Sequence, residues 1–205
     1  MLLFVHIFSK KTKTSNITMK NKKIIRIALV TAFILMVPLV AMQFTTGVNW
    51  SVFDFIVMGV LLFSTGLAYE LIASKGSNTA YRVAAGVAIG TAFLLIWVNL
   101  AVGFIGSGAN PANLMYAGVP VIGIVGAVVA QFRPRGMARA LFATALAQVL
   151  VPVIALIIEK SQVASGEVSL EFVKALGLTG FFAALWVASA LLFRHSGSAP
   201  ANASF

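Results

Sequence analysis

Six apolar runs divide this chain, at 24–44, 52–73, 83–105, 114–132, 137–158 and 172–193. Each is close to the ~20 residues that a helix, rising about 1.5 Å per residue, needs to cross about 30 Å of hydrocarbon. A stretch such as Ile27-Ala-Leu-Val-Thr-Ala-Phe-Ile-Leu-Met-Val is apolar on every side. Transmembrane strands instead alternate apolar and polar positions over about 10 residues, so these runs predict helices. The fold expected is an all-α, polytopic membrane helix bundle with six transmembrane helices.

Composition agrees. Of the 205 residues, 60% are hydrophobic and 10% charged, with a mean hydropathy of +1.00. A soluble domain carries roughly 25% charged residues, and a disordered chain needs low hydrophobicity, so both classes are excluded. The cysteine count is zero, which removes disulfides, thiolate metal sites and cysteine nucleophiles.

The net charge of +10 comes from fifteen Lys and Arg against five Asp and Glu. In a soluble protein that balance would suggest nucleic acid; here its placement suggests orientation, because basic residues near span ends stay on the cytoplasmic side. Lys10, Lys11, Lys13, Lys20, Lys22, Lys23 and Arg26 precede or enter the first run. Lys75 and Arg82 lie between runs two and three, Arg133, Arg135 and Arg139 between four and five, and Arg194 after the last. Only Lys160 and Lys174 fall on the alternate side, with Asp54, Glu159, Glu167 and Glu171. The expectation is an N-in, C-in protein of the bacterial cytoplasmic (inner) membrane, with membrane lipids as partners and no nucleic acid. A membrane-protein partner or a second copy of the chain stays open.

Residues 1–23 read as a basic cytoplasmic leader, with the true start expected at Met19. Residues 24–193 form the transmembrane domain, and 194–205 a short, disordered cytoplasmic tail. Connections are short, so function is expected within the membrane or at its faces.

No catalytic constellation, metal-ligand spacing or cofactor motif is present in the sequence, and no acid lies at mid-membrane, where a proton relay needs one. The chemistry-bearing residues left there are uncharged: Ser64, Thr65, Thr144, Asn99 and Gln148. On the fifth run, Ala140, Thr144, Gln148, Pro152 and Ala155 fall on one helical face. Two readings of these residues stay open: interhelical packing, and a solute pathway lined by Asn99 and Gln148. A second group, Asn49, Trp50, Asp54, Trp97, Asn110, Asn113 and Tyr116, is a candidate outer-face pocket, against the plainer reading of an interfacial aromatic belt and a turn. Glu70 and Arg82 flank one short inner loop and form a candidate ion pair.

The runs Gly47-Val-Asn-Trp-Ser-Val-Phe-Asp-Phe, Tyr69-Glu-Leu, Tyr81-Arg, Trp97-Val-Asn-Leu-Ala-Val-Gly-Phe-Ile-Gly-Ser and Asn110-Pro-Ala-Asn-Leu-Met-Tyr resemble a family of small, uncharacterised bacterial six-span integral membrane proteins. The resemblance covers most of residues 19–158 and implies residence in a bacterial plasma membrane, without supplying catalytic residues. Acidic residues commonly stand in that family where this chain has Gly108-Ala109, so a cation- or partner-binding role carried by them is in doubt here. The leading specific expectation is a small-solute transporter or channel-like component without enzymatic activity; the alternative is a structural or partner-binding membrane subunit.

Overall fold

The computed structural model describes residues 2–76, 78–104, 113–158 and 170–198, with side chains for 21–76, 78–104, 113–155, 157 and 173–198. Six helices follow one another: α1 (Leu2–Phe44), α2 (Val52–Ala73), α3 (Thr79–Ala101), α4 (Asn113–Val129), α5 (Pro134–Ile158) and α6 (Leu170–Ser196). No strand occurs among the described residues. Five helical segments are long and apolar enough to cross a membrane: Asn21–Phe44, Val52–Ala73, Thr79–Ala101, Pro134–Ala155 and Val173–Ser196. The chain is on that ground a multi-pass membrane protein. Asn113–Val129 is equally apolar but shorter, at 17 residues.

Two compact units divide the chain, residues 1–68 and 69–205. In the first, α1 and α2 approach antiparallel: a Cβ built on Gly59 would lie 3.4 Å from Leu35, and one on Gly66 2.6 Å from Ile27. Their large apolar side chains are widely exposed, Leu29, Phe33 and Ile56 among them. Lipid accepts such a surface without the hydration cost that water would impose.

In the second unit α3, α6, α5 and α4 pack in a ring, with the α3–α4 contact the lightest. Successive helices run antiparallel, and four contacts fix their register. Tyr81 on α3 meets Phe193 on α6 edge-on at 4.9 Å. Gly197, just past α6, sits against Pro134 at the start of α5, 3.2 Å from a built Cβ. A Cβ built on Gly126 of α4 would lie 2.6 Å from Ala140 Cβ on α5, and one on Gly123 3.3 Å from Thr144 Oγ1. The core threads these helices through Ala84, Leu95, Phe104, Tyr116, Leu141, Phe182, Trp186 and Phe193.

Helix ends depart from the hydropathy boundaries where capping overrides them. The third helix begins at Thr79 rather than 83, because Asn78 Oδ1 accepts from Tyr81 N–H at 2.9 Å and caps the first turn. The fourth ends at Val129 rather than 132: Gln131 and Phe132 take left-handed φ values of 51° and 59°, and Phe132 N–H reaches back to Ala127 O at 3.2 Å. That is a C-terminal reversal of the Schellman type, set immediately before Pro134 opens α5. At the C-terminus α6 continues to Ser196, so the expected disordered tail loses its first residues to helix. Ser196 is buried and its carbonyl accepts from Asn78 Nδ2 at 2.9 Å. The expected leader is likewise part of α1, which is helical from Leu2.

Candidate functional site

The face anticipated on α5 is interior. Thr144, Gln148, Pro152 and Ala155 are all buried, and Ala140 is half-buried against Gly126. Gln148 stands out among them: its side chain has no exposure, and neither its Nε2 nor its Oε1 has a hydrogen-bond partner. Trp186 on α6 is in the same condition, 2% exposed with an unpartnered Nε1. Counting along the antiparallel helices from the Gly197–Pro134 contact sets Gln148 level with Ala183, about one helical turn from Trp186. The α3 register, fixed by Ser189 Oγ donating to Ala84 O at 2.8 Å, brings Thr91 to the same level. Mid-bundle therefore holds a carboxamide and an indole N–H at neighbouring levels, both buried and both unsatisfied. Buried groups of this kind are nearly always bonded to protein or to ordered water.

The other polar groups expected along a pathway are spent elsewhere. Thr144 Oγ1 donates to Ala140 O and Thr65 Oγ1 to Leu61 O, each one turn back on its own helix. Ser64, in the first unit, is exposed. Asn99 Nδ2 donates to Asn113 O at 2.9 Å, while Asn113 Oδ1 accepts from Phe104 N–H at 2.8 Å. These two bonds tie the end of α3 and Phe104 to the start of α4. Asn99 lies eight residues beyond the Thr91 level, about 12 Å along the axis. Asn99 and Gln148 thus occupy separate levels of the bundle, with Asn99 Oδ1 left buried and unpaired.

Within each unit, residues of the expected outer-face group take part in local structures. Asp54 Oδ2 accepts from Ser51 N–H at 2.7 Å and Ser51 Oγ–H at 2.8 Å, and Ser51 Oγ accepts from Asp54 N–H, which makes Ser51-x-x-Asp54 the capping box of α2. Trp50 stands edge-on to Phe55, and Asn49 is exposed. Trp97 is 40% exposed and stacks on Phe93 one turn back, as a belt residue would. Tyr116 corrects the expectation of a surface aromatic: it is 1% exposed, stacked on Phe104, with its hydroxyl 2.9 Å from Thr179 Oγ1. Asn110 lies outside the described residues. Glu70 is half-buried in the last turn of α2, and Arg82 is exposed in the first turn of α3.

Two features escaped the sequence reading. Thr179, Phe182, Trp186, Ser189, Phe193 and Ser196 recur at three- and four-residue spacing and are all buried, so the sixth run carried its own legible inward face. Asn78 bonds residues 118 positions apart, for which local spacing holds no signal. Arg82, Arg133, Arg135, Arg139 and Arg194, which loop order had grouped on one side, are all exposed at one end of the α3–α6 bundle. Among the described residues no three His, Asp or Glu gather as metal ligands.

What the described residues define is a helical multi-pass membrane protein with unsatisfied polar groups at two interior levels and an arginine-rich end to its α3–α6 bundle. No protein-family model, curated protein or solved structure matches the chain, so neither activity nor residue roles come to it from a relative.

Proposed function

We propose that this chain is a small-solute transporter or channel-like component, with six spans, both termini cytoplasmic and residence in the bacterial inner membrane. The observation that carries the reading is Gln148, fully buried at mid-bundle with its amide N and O both unsatisfied. Leaving such groups unpaired costs about 1–3 kcal/mol each, and a carboxamide needs only a donor and an acceptor to recover it. Water or a small neutral polar solute supplies both. Among the described residues of α3–α6 no charged side chain shares that level, which favours an uncharged solute over an ion.

Stopped-flow light scattering of proteoliposomes tests this with glycerol and urea as probes. Wild-type vesicles are expected to admit one of them faster than empty vesicles. Gln148→Leu should return the rate to the empty-vesicle value while keeping helicity and raising the melting temperature. Rates indistinguishable from empty vesicles for wild type, or an unchanged rate in Gln148→Leu, would overturn the reading.

A structural or partner-binding subunit is the second reading. It draws on the internal bonding of the other interior groups: Tyr116 with Thr179, Ser189 with Ala84, and Asn99 with Asn113. Such locks suit a rigid scaffold, and stable co-purification of another membrane protein in mild detergent would favour it.

A further inference from the structure

At the arginine-rich end, where α5 begins and α6 ends, a concave pocket of about 540 Å³ is lined by Arg135, Ala138, Arg139, Phe142, Arg194 and Ser198. Three arginines from two helices border one cavity. Among the described residues none of them is paired with a carboxylate: Asp54 is bound to Ser51, and Arg135, Arg139 and Arg194 carry no ion pair. Gathering like charges without a counterion is unfavourable, and an anion entering the pocket relieves it. The first turn of α5 adds the positive end of the helix dipole. Guanidinium forks match the paired oxygens of a phosphate, and several of them converging from separate helices can hold one group from more than one side.

The remaining wall decides the source of that phosphate. Arg135, Arg139 and Phe142 follow one another along α5 at four- and three-residue spacing, so the lining passes from cationic at the helix start to aromatic one turn deeper. Arg135, Arg139 and Phe142 all belong to the membrane-spanning-length segment Pro134–Ala155, and Phe142 is the furthest of the three from its starting end. An amphiphile with a phosphate at the water boundary and hydrocarbon below it fits that gradient; a free ion uses only its upper half. We infer that this pocket binds a phosphate group, and that the group is the headgroup of an anionic glycerophospholipid lodged between α5 and α6.

The inference does not depend on solute passage at Gln148, and its test reads a different property. The full chain, purified in a neutral detergent, is titrated with dihexanoyl phosphatidylglycerol and followed by native mass spectrometry and by melting temperature. Wild type should retain one lipid and melt at a higher temperature with it. Dihexanoyl phosphatidylcholine, with a neutral headgroup, and inorganic phosphate should each bind about tenfold more weakly or less. The variant Arg135→Gln/Arg139→Gln/Arg194→Gln should lose at least about tenfold in affinity for the anionic lipid, since charge-assisted contacts of this kind carry the binding. These side chains are exposed, so the variant should fold. A control, Lys22→Gln/Lys75→Gln/Arg82→Gln, removes the same charge elsewhere and should bind as wild type does. Equal losses in both variants would reduce the effect to net charge and overturn the pocket. Inorganic phosphate binding as tightly as the lipid would overturn the headgroup assignment, and wild type that neither retains the lipid nor shifts its melting temperature would overturn both.

Discussion

Tyr81 shows how one side chain holds a backbone that its own residues would not choose. Phe132 and Gln131 both sit in the left-handed region, which costs a non-glycine residue roughly 1 kcal/mol or more. The Tyr81 hydroxyl donates to Phe132 O at 2.8 Å, and its ring stays packed edge-on to Phe193. Tyr81→Phe removes the bond and keeps the ring, so the detergent-purified protein should lose about 1 kcal/mol. The check is a lower melting temperature with unchanged helicity; an unchanged midpoint would mean that the α4–α5 reversal stands without the tether. Sequence spacing could not reveal this bond, which spans 51 positions. What spacing could reveal, it did at Gln148 and Thr144, because side chains four residues apart share a face whatever lies opposite. It could not tell that Thr144 would bond its own helix and Gln148 nothing. Asn99 was legible as an interior polar group, but its partner, the Asn113 carbonyl, is a backbone atom with no residue signature. The Ser51-x-x-Asp54 capping box was open to a sequence reading, and Asp54 is better understood through it than as a pocket carboxylate.

At the scale of the element, the α4–α5 hairpin depends on close backbone approach. A Cβ on Gly126 would stand 2.6 Å from Ala140 Cβ and 3.3 Å from its Cα, and one on Gly136 2.7 Å from Ala130 Cβ. Neither neighbour has a flexible end that could swing aside. Gly126→Val should therefore force the helices apart and cost about 1–3 kcal/mol, the usual range for overpacking. Gly118→Ala on the same helix meets nothing within 4 Å and should leave stability equal or slightly higher. Melting temperatures of the two variants compare these directly, and a drop in Gly118→Ala as large as in Gly126→Val would refute the packing account. The existence of each helix was plain from hydropathy, since an apolar run of this length in lipid has to satisfy its backbone internally. Helix ends were less plain. They are set at Asn78 by a capping side chain and at Gln131 and Phe132 by backbone reversal, neither of which changes mean hydropathy. The pocket between α5 and α6 was invisible for a related reason: Arg139 and Arg194 are 55 residues apart, and only the antiparallel register brings them to one cavity.

For the whole molecule, charge is the more informative guide because lipid penalises it so strongly. A basic residue at mid-bilayer costs about 2.5–3.5 kcal/mol even on the most lenient scale, so Lys and Arg are confined to span ends and their side is readable from order alone. Apolar residues carry no comparable instruction. Helices apolar on every side reveal which runs enter the membrane without revealing which pairs meet, and the division into units at residues 68 and 69 had no forerunner in the sequence. The α3–α6 unit gathers its arginines in the same way. Arg82, Arg133, Arg135, Arg139 and Arg194 come from three separate segments, yet antiparallel packing collects them at the same end, which one membrane face can hold. This arrangement requires α4 to cross despite its 17 residues, a length of about 26 Å that is at the short limit for a span. Single-cysteine labelling tests that crossing cleanly, because the natural chain has no cysteine to interfere. Asn110→Cys should react with a membrane-impermeant maleimide added outside intact cells, and Arg135→Cys only after the membrane is opened. Reaction of both from the same side would leave α4 uncrossed and with it undo the six-span arrangement, while the antiparallel α3–α6 register would still stand.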